Sequence, residues 1–214
     1  MNTLKTIAGL RFALAAAMLA SIVWQITDRL THNLFRPSEY FSYFTIQTSL
    51  IAVVALAAGG WLAWNGQSET RVLNLVRLCS TTYTVVVTLV YNLLLRGLPN
   101  PPADGNYAWP VLPNEILHVW AAIILLIDWM LSSRRINLRF RAIFWVLLFP
   151  LVWLGYSIVR GLIVNWWPYW FINPNEPAGI GGMLTYIFGI MIFLLVVASA
   201  LLALQRLTVR VFRR

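Results

Sequence analysis

The chain has 214 residues, of which 60% are hydrophobic and 11% are charged, and its mean hydropathy is +0.73. A soluble domain of this length does not need so many apolar side chains, so the composition indicates a membrane protein. The net charge of +9 does not indicate a nucleic-acid-binding protein, because no basic recognition motif accompanies the positive residues.

Six apolar runs are each long enough to cross the hydrocarbon core of a bilayer, which takes about 20 helical residues. In chain order they cover approximately residues 6–27, 40–64, 72–95, 114–131, 142–166 and 179–204. The loops between them are too short to hold a soluble domain. We therefore predict an all-α fold in which residues 1–214 form one domain of six transmembrane helices.

The charged residues predict how this bundle is oriented. One side of a six-span arrangement is almost purely basic, with Lys5, Arg71, Arg134, Arg135, Arg139, Arg141, Arg206, Arg210, Arg213 and Arg214. The other side mixes both signs, with Arg29, Arg36, Arg96, Asp28, Glu39, Asp104, Glu115 and Glu176. Basic loops stay in the cytoplasm, so both termini are predicted to be cytoplasmic, and the basic C-terminal tail is predicted to contact anionic membrane lipids.

One cysteine and two histidines restrict the possible cofactors. Cys79 is the sole cysteine, which excludes an intramolecular disulfide. His32 lies in a predicted loop, so it does not pair with His118 as axial haem ligands inside the bundle. No cluster of Cys, His and carboxylate residues has the spacing of a metal site. We therefore predict neither a metal nor another cofactor.

The second predicted helix begins with a polar stretch, FSYFTIQTSL, at residues 41–50. Thr45 lies about five residues, or roughly 7 Å, inside its outer edge. Thr48 and Ser49 follow on the same face of the helix. A polar group inside a bilayer costs free energy unless it has a partner, so Thr45 is a candidate site residue. The structural alternative is that these hydroxyls bond to their own backbone or join helices.

The next three helices carry polar residues at a similar depth. These are Asn92 near the outer end of the third helix, Asn114 and His118 in the fourth, and Tyr156 and Arg160 in the fifth. Each of the last two pairs is spaced i, i+4, which places its members on one helix face. We predict that these groups meet the hydroxyl of the second helix in the outer leaflet.

This set of side chains favours nucleophilic catalysis. A threonine hydroxyl becomes a nucleophile when a base takes its proton, and a neutral imidazole can take that proton and return it to the leaving group. Thr45 and His118 are therefore the predicted nucleophile and base. Asn114 is the nearest candidate for orienting the imidazole, because Asp128 lies ten residues further on, roughly 15 Å deeper.

Two other functions also fit this pattern. The same polar groups would hold a lipid headgroup in a non-enzymatic lipid-binding or transport protein, and a purely structural membrane subunit is a third possibility. Arg160 has a structural interpretation too, in which it snorkels to the interface or pairs with Glu115. The sequence does not indicate an oligomeric state.

Three stretches resemble the androgen-induced-gene family, which includes the androgen-dependent regulator of tissue factor pathway inhibitor. They are YFSYFTIQTSL (40–50), NEILHVWAAIILLIDWMLSSRR (114–135) and VNWWPYWFINP (164–174). The similarity extends over nearly the whole chain with the same helix order. In the third stretch, Trp170 replaces a usual Pro, and Asn173 stands where related bacterial chains often have Asp.

The resemblance implies an activity and a location. Animal members of this family are multi-pass membrane threonine hydrolases that cleave fatty acid esters of hydroxy fatty acids. Their nucleophilic threonine corresponds to Thr45 and their catalytic histidine to His118, with Asn114 and Asp128 at the family's Asn and acid positions. The expected protein is thus a bacterial inner-membrane lipid ester hydrolase with a fatty-ester substrate and no nucleic-acid partner.

Overall fold

The computed structural model describes residues 3–99, 104–131 and 138–211. Within these residues the regular secondary structure is entirely helical. Six long helices account for most of it: α1 (Thr3–Thr31), α2 (Phe44–Trp64), α3 (Arg71–Leu95), α4 (Val111–Leu131), α5 (Phe140–Val164) and α6 (Gly179–Val211). Each is long and apolar enough to cross a membrane, so the prediction of six such helices is confirmed and the chain has the character of a multi-pass membrane protein.

The ends of α1 to α5 differ from the predicted ends by at most four residues, and local chemistry explains three of these ends. The helix α2 begins four residues later than predicted because Pro37 starts a separate short helix, Pro37–Tyr40. The helix α3 begins where the Thr70 hydroxyl accepts the backbone N–H of Leu73 at 3.1 Å. The helix α5 ends at Asn165, which adopts a left-handed conformation with φ of 51°.

The helix α3 is central, since it packs against α2, α4, α6 and the first part of α5. The helix α1 covers α2 and α4 on one side. One apolar core lies between α1, α2 and α4 and contains Met18, Leu56 and Leu117. A second core joins α3 to α4, α5 and α6. Large apolar side chains such as Leu162 are exposed on the outside of the bundle, where a bilayer would cover them.

A buried cluster of four charged residues joins the helices at the end of the bundle opposite Thr45. Arg11 contacts Glu69 at 2.9 Å and Asp128 at 2.8 Å, and it donates to the carbonyl of Gly59 at 2.9 Å. Arg77 forms ion pairs with the same two carboxylates. Two positive and two negative charges therefore balance each other inside the protein, as buried charges require. We call these four residues the ionic cluster.

A second ion-paired group fixes the loops at the other end. The Asp104 carboxylate accepts hydrogen bonds from both terminal nitrogens of Arg29 at 3.0 Å and also pairs with Arg36. The Arg29 guanidinium lies over the ring of Trp109 at 4.6 Å. Because Arg29 belongs to α1 and Trp109 precedes α4, these contacts hold the loop before α4 against α1.

Candidate functional site

A cavity of about 960 Å³ opens at this end of the bundle. Its wall is built by the starts of α2 and α4, the end of α3 and the segment 165–176. Four tryptophans contribute to the wall: Trp109, Trp166, Trp167 and Trp170. A cavity of this size and mixed polarity lies in the range that proteins use for small-molecule ligands. Thr45, His118 and Asn114 all line it.

His118 occupies a distorted turn of α4. The segment Ile116–Trp120 is a π-helical turn, a feature that is frequent at functional sites. The Nδ1 atom of His118 lies 2.9 Å from the backbone carbonyl of Asn114. A carbonyl can only accept a hydrogen bond, so Nδ1 carries the proton in this contact and the Nε2 atom of the neutral ring keeps its lone pair. This tautomer is the one that a general base requires.

Tyr91 and Asn114 fix the plane of the imidazole. The Tyr91 ring stacks on His118 with a centroid distance of 4.1 Å and an interplanar angle of 28°. The Asn114 side chain donates to the Tyr91 hydroxyl at 2.6 Å. Tyr91 itself begins a second π-helical turn, Tyr91–Leu95, at the end of α3. Asn114 thus contacts both rings, through its backbone carbonyl and its side-chain amide.

Thr45 lies in the first turn of α2 and is 7% exposed. A threonine further along a helix can donate its hydroxyl to the helical carbonyl four residues earlier, as Thr48 does to Phe44 at 2.8 Å. Thr45 is too close to the start of α2 to have such a carbonyl. The Thr45 side chain lies near the phenol of Tyr169 and lowers the pKa of that phenol, against the larger effect of burial. Among the described contacts there is no hydrogen bond between Thr45 and His118.

The helix turns that carry Thr45 and His118 are nevertheless neighbours. Ile46 follows Thr45, Leu117 precedes His118, and both apolar side chains belong to the same buried core. The two polar side chains line the same cavity. Catalytic hydrogen bonds are often long or poorly aligned until a substrate binds, so the missing hydrogen bond does not exclude Thr45 and His118 as partners.

A small apolar chamber of about 70 Å³ adjoins Thr45. Its wall consists of apolar side chains from α3, α5 and α6, among them Val86, Trp153 and Ile190. Thr45 and Tyr169 line both the chamber and the larger cavity. The threonine hydroxyl therefore lies where a mainly apolar space meets a larger one with polar walls.

The other three predicted site residues are not among those that line the cavity. Asn92 is exposed and its amide bonds to the Thr88 carbonyl of its own helix at 2.8 Å. The Tyr156 hydroxyl lies 2.8 Å from that of Ser42. The structure therefore does not bring Asn92 and Tyr156 together with His118.

Arg160 also lies outside the cavity wall. One terminal nitrogen reaches the Ser38 hydroxyl at 3.4 Å, and the guanidinium lies over the Trp166 ring at 4.4 Å. Glu115 pairs instead with Arg96, at 2.6 Å. Arg96 lines the cavity and lies over the ring of Tyr91 at 5.0 Å. The cationic side chain that lines the cavity thus comes from the residue after α3, not from α5.

The sequence interpretation did not identify Tyr91, Arg96 or Tyr169. Tyr91 precedes Asn92 directly, and the π-helical turn that begins there changes which side chains face α4. Tyr169 lies in the Trp- and Pro-rich stretch after α5, where aromatic residues are so frequent that none stands out. The one feature of the sequence that could have indicated Tyr169 is that it carries a hydroxyl among several tryptophans.

Among the described residues, no group of three or more His, Cys, Asp or Glu side chains could hold a metal ion. Comparisons with protein-family models, with curated proteins and with solved structures found no match to this chain.

Proposed function

We propose that this protein is an intramembrane lipid ester hydrolase in which Thr45 is the nucleophile and His118 is the general base. The observation that carries the proposal is the cavity in which both residues lie, with His118 held in the tautomer that leaves Nε2 free. The resemblance to membrane threonine hydrolases supports the same pair from the sequence.

The reaction follows from these groups. His118 Nε2 takes the hydroxyl proton while Thr45 Oγ1 attacks the ester carbonyl carbon. The tetrahedral intermediate collapses, the C–O bond to the alcohol breaks, and the leaving alkoxide receives the proton from His118. Water then attacks the acyl-threonine ester with His118 again as base, which releases the fatty acid and restores the Thr45 hydroxyl.

The shape of the two spaces favours an amphiphilic ester. The apolar chamber beside Thr45 accepts part of the acyl chain, and the larger cavity with its tryptophans and polar side chains accepts the alcohol portion. Fatty acid esters of hydroxy fatty acids belong to this class. With both termini in the cytoplasm, the cavity would open toward the outer leaflet of a bacterial inner membrane.

A non-enzymatic lipid-binding protein is the second candidate. It is favoured by one observation: among the described contacts, His118 bonds to the Asn114 carbonyl and no hydrogen bond joins it to Thr45. In this function the cavity would hold an amphiphile without cleaving it.

Hydrolysis measured with matched variants tests the proposal. Purified protein in lipid nanodiscs is assayed with a fluorogenic fatty ester and with a fatty acid ester of a hydroxy fatty acid. His118→Ala is expected to lower kcat by about 10²–10⁴-fold, the usual contribution of a general base. Thr45→Ala is expected to lose activity, and the double variant is expected to lose no more, because the pair acts as a unit.

Thr48→Ala is the matched control, because Thr48 lies one turn further along α2 and its hydroxyl bonds to the helix backbone. It is expected to keep wild-type kcat. Full hydrolysis by Thr45→Ala would contradict the proposed nucleophile. Binding of the ester without hydrolysis by the wild-type protein would favour the lipid-binding function.

A further inference from the structure

The Tyr169 hydroxyl occupies a position beside the proposed nucleophile that its surroundings fix closely. It lies near enough to the Thr45 side chain and to the backbone of Phe44 and Thr45 for these groups to lower the pKa of its phenol, against the larger effect of burial. These two residues form the first turn of α2, where backbone N–H groups have no acceptor within the helix. The preceding residue, Tyr43, provides no side-chain cap. The Tyr169 phenol therefore lies at the uncapped first turn that carries Thr45.

The ring of Tyr169 is held by other aromatic residues. It stacks on Phe171 with a centroid distance of 5.2 Å and an interplanar angle of 5°. Trp153 and Tyr43 lie against it, each with a centroid distance of 5.9 Å. Trp153 in turn donates its indole N–H to the carbonyl of Ser42 at 2.9 Å. These contacts tie the segment after α5 to the start of α2, so the hydroxyl keeps its position relative to Thr45.

We propose that Tyr169 is a catalytic residue that donates its hydroxyl hydrogen bond to the ester carbonyl oxygen as that oxygen becomes negatively charged. This inference rests on the proposed hydrolase function. When Thr45 Oγ1 bonds to the carbonyl carbon, the carbonyl π electrons move to the oxygen, and the Thr45 proton passes to His118 Nε2. The Tyr169 proton stays on the phenol, and the oxyanion accepts its hydrogen bond until the intermediate collapses.

Two features suit Tyr169 to this role. Tyr169 lines both the apolar chamber and the larger cavity, as Thr45 does, so a carbonyl attacked by Thr45 would lie within reach of both. Its ring is held by Tyr43, Trp153 and Phe171, so the donor is in position before the oxyanion forms. Burial also raises the pKa of the Tyr169 phenol, although contacts with Thr45 and Phe44 oppose the shift. The donor therefore keeps its proton at neutral pH.

The Tyr169→Phe variant removes this donor and keeps the ring. It is expected to lower kcat by about 10²-fold, the scale of one lost oxyanion donor, with KM within about threefold of wild type. The matched control is Tyr156→Phe, since the Tyr156 hydroxyl bonds to Ser42 outside the cavity wall. That control is expected to leave kcat unchanged.

A purely structural role for Tyr169 predicts different inhibition. A long-chain trifluoromethyl ketone forms a tetrahedral adduct with a nucleophilic hydroxyl and carries an oxyanion, whereas the matching methyl ketone largely stays trigonal. Tyr169→Phe is expected to raise the inhibition constant of the trifluoromethyl ketone as much as it lowers kcat/KM, and to leave that of the methyl ketone unchanged. Equal weakening of both inhibitors would overturn the proposal.

A second variant covers the case in which Tyr169→Phe does not fold. Replacement of Tyr169 by difluorotyrosine keeps the ring and the hydroxyl but lowers the pKa of the phenol. Activity requires the protonated donor, so it falls as pH rises through the pKa of the phenol. The alkaline limit of kcat is therefore expected to move to lower pH, and an unmoved limit would overturn the proposal.

These outcomes separate the role of Tyr169 from the hydrolase function itself. Wild-type kcat in Tyr169→Phe, together with an inactive Thr45→Ala, would overturn the role of Tyr169 and leave the hydrolase intact. An active Thr45→Ala would overturn both.

Discussion

From the ionic cluster we predict that replacing Arg77 alone destabilises the protein far more than replacing Arg77 together with its partner Asp128. Arg77 and Asp128 have side chains that are 4% and 13% exposed. In Arg77→Met, the single positive charge of Arg11 faces the carboxylates of Glu69 and Asp128, so one buried negative charge is uncompensated. Removal of one partner from a buried ion pair costs about 3–5 kcal/mol.

The double variant Arg77→Met/Asp128→Leu restores neutrality, because Arg11 keeps Glu69 at 2.9 Å and the Gly59 carbonyl at 2.9 Å. Replacement of a buried ion pair by apolar residues of similar size is often nearly neutral. We therefore expect the double variant to be more stable than Arg77→Met alone.

The measurement is the midpoint of thermal unfolding in one detergent. For a chain of this length, 1 kcal/mol corresponds to a shift of about 2–4 °C, so Arg77→Met is expected to lower the midpoint by about 6–20 °C. Arg96→Met is the matched control, since the Arg96–Glu115 pair is 43% and 26% exposed and such pairs contribute about 0.2–1 kcal/mol. Equal shifts in Arg77→Met and Arg96→Met, or a double variant less stable than Arg77→Met, would refute this reasoning.

Three further predictions concern the packing of Gly161, the role of Arg160 and the orientation of the bundle in the membrane. A Cβ atom at Gly161 would lie 2.6 Å from the Trp167 ring, so Gly161→Ala is expected to displace Trp167 from the cavity wall and to lower kcat/KM. Gly155→Ala on the same helix is the control, because a Cβ atom there has no neighbour within 4 Å, and it is expected to have little effect. Arg160→Gln is expected to change the hydrolysis of neutral and carboxylate-bearing esters equally, because Arg160 does not line the cavity; selective loss for the carboxylate-bearing ester would contradict this. Reporter fusions after residues 68 and 137 are expected to read cytoplasmic and fusions within 99–110 external; an external C-terminus would reverse the orientation.

The sequence predicted the six long helices because a helix that crosses a bilayer needs a long apolar run, and such runs are visible directly. It also predicted that Thr45 and His118 lie at one depth, since distance along a helix follows from residue number. Depth alone does not give direction around the helix axis. The Arg160 guanidinium, for example, contacts Trp166 and Ser38, and Arg160 does not line the cavity.

The contacts of His118 show why the remainder of the site could not be predicted. The i, i+4 spacing of Asn114 and His118 indicated a contact, but the hydrogen bond uses the backbone carbonyl of Asn114 and not its amide. The π-helical turn at residues 116–120 shifts the backbone pairing, and no residue pattern marks it. Tyr169 comes from a loop whose path depends on packing against aromatic residues elsewhere in the chain, Tyr43 and Trp153.

The ionic cluster was not predicted for a related reason. From the sequence, no role was predicted for Arg11, Glu69 or Arg77, and Asp128 was placed only by its depth. Their pairing requires α1, α3 and α4 to meet at one end of the bundle, which follows from helix packing and not from any single helix. Ion pairs between residues far apart in the sequence therefore become visible only in the folded structure.

A covalent adduct on Thr45 is the sharpest test of the proposed nucleophile. The protein in nanodiscs is incubated with a fatty-chain fluorophosphonate, its intact mass is measured, and the modified residue is located by peptide mass spectrometry. The account predicts one adduct per chain, on Thr45, that is absent in Thr45→Ala and formed normally in Thr48→Ala. An adduct on another residue, or ester hydrolysis by a protein that forms none, would contradict it.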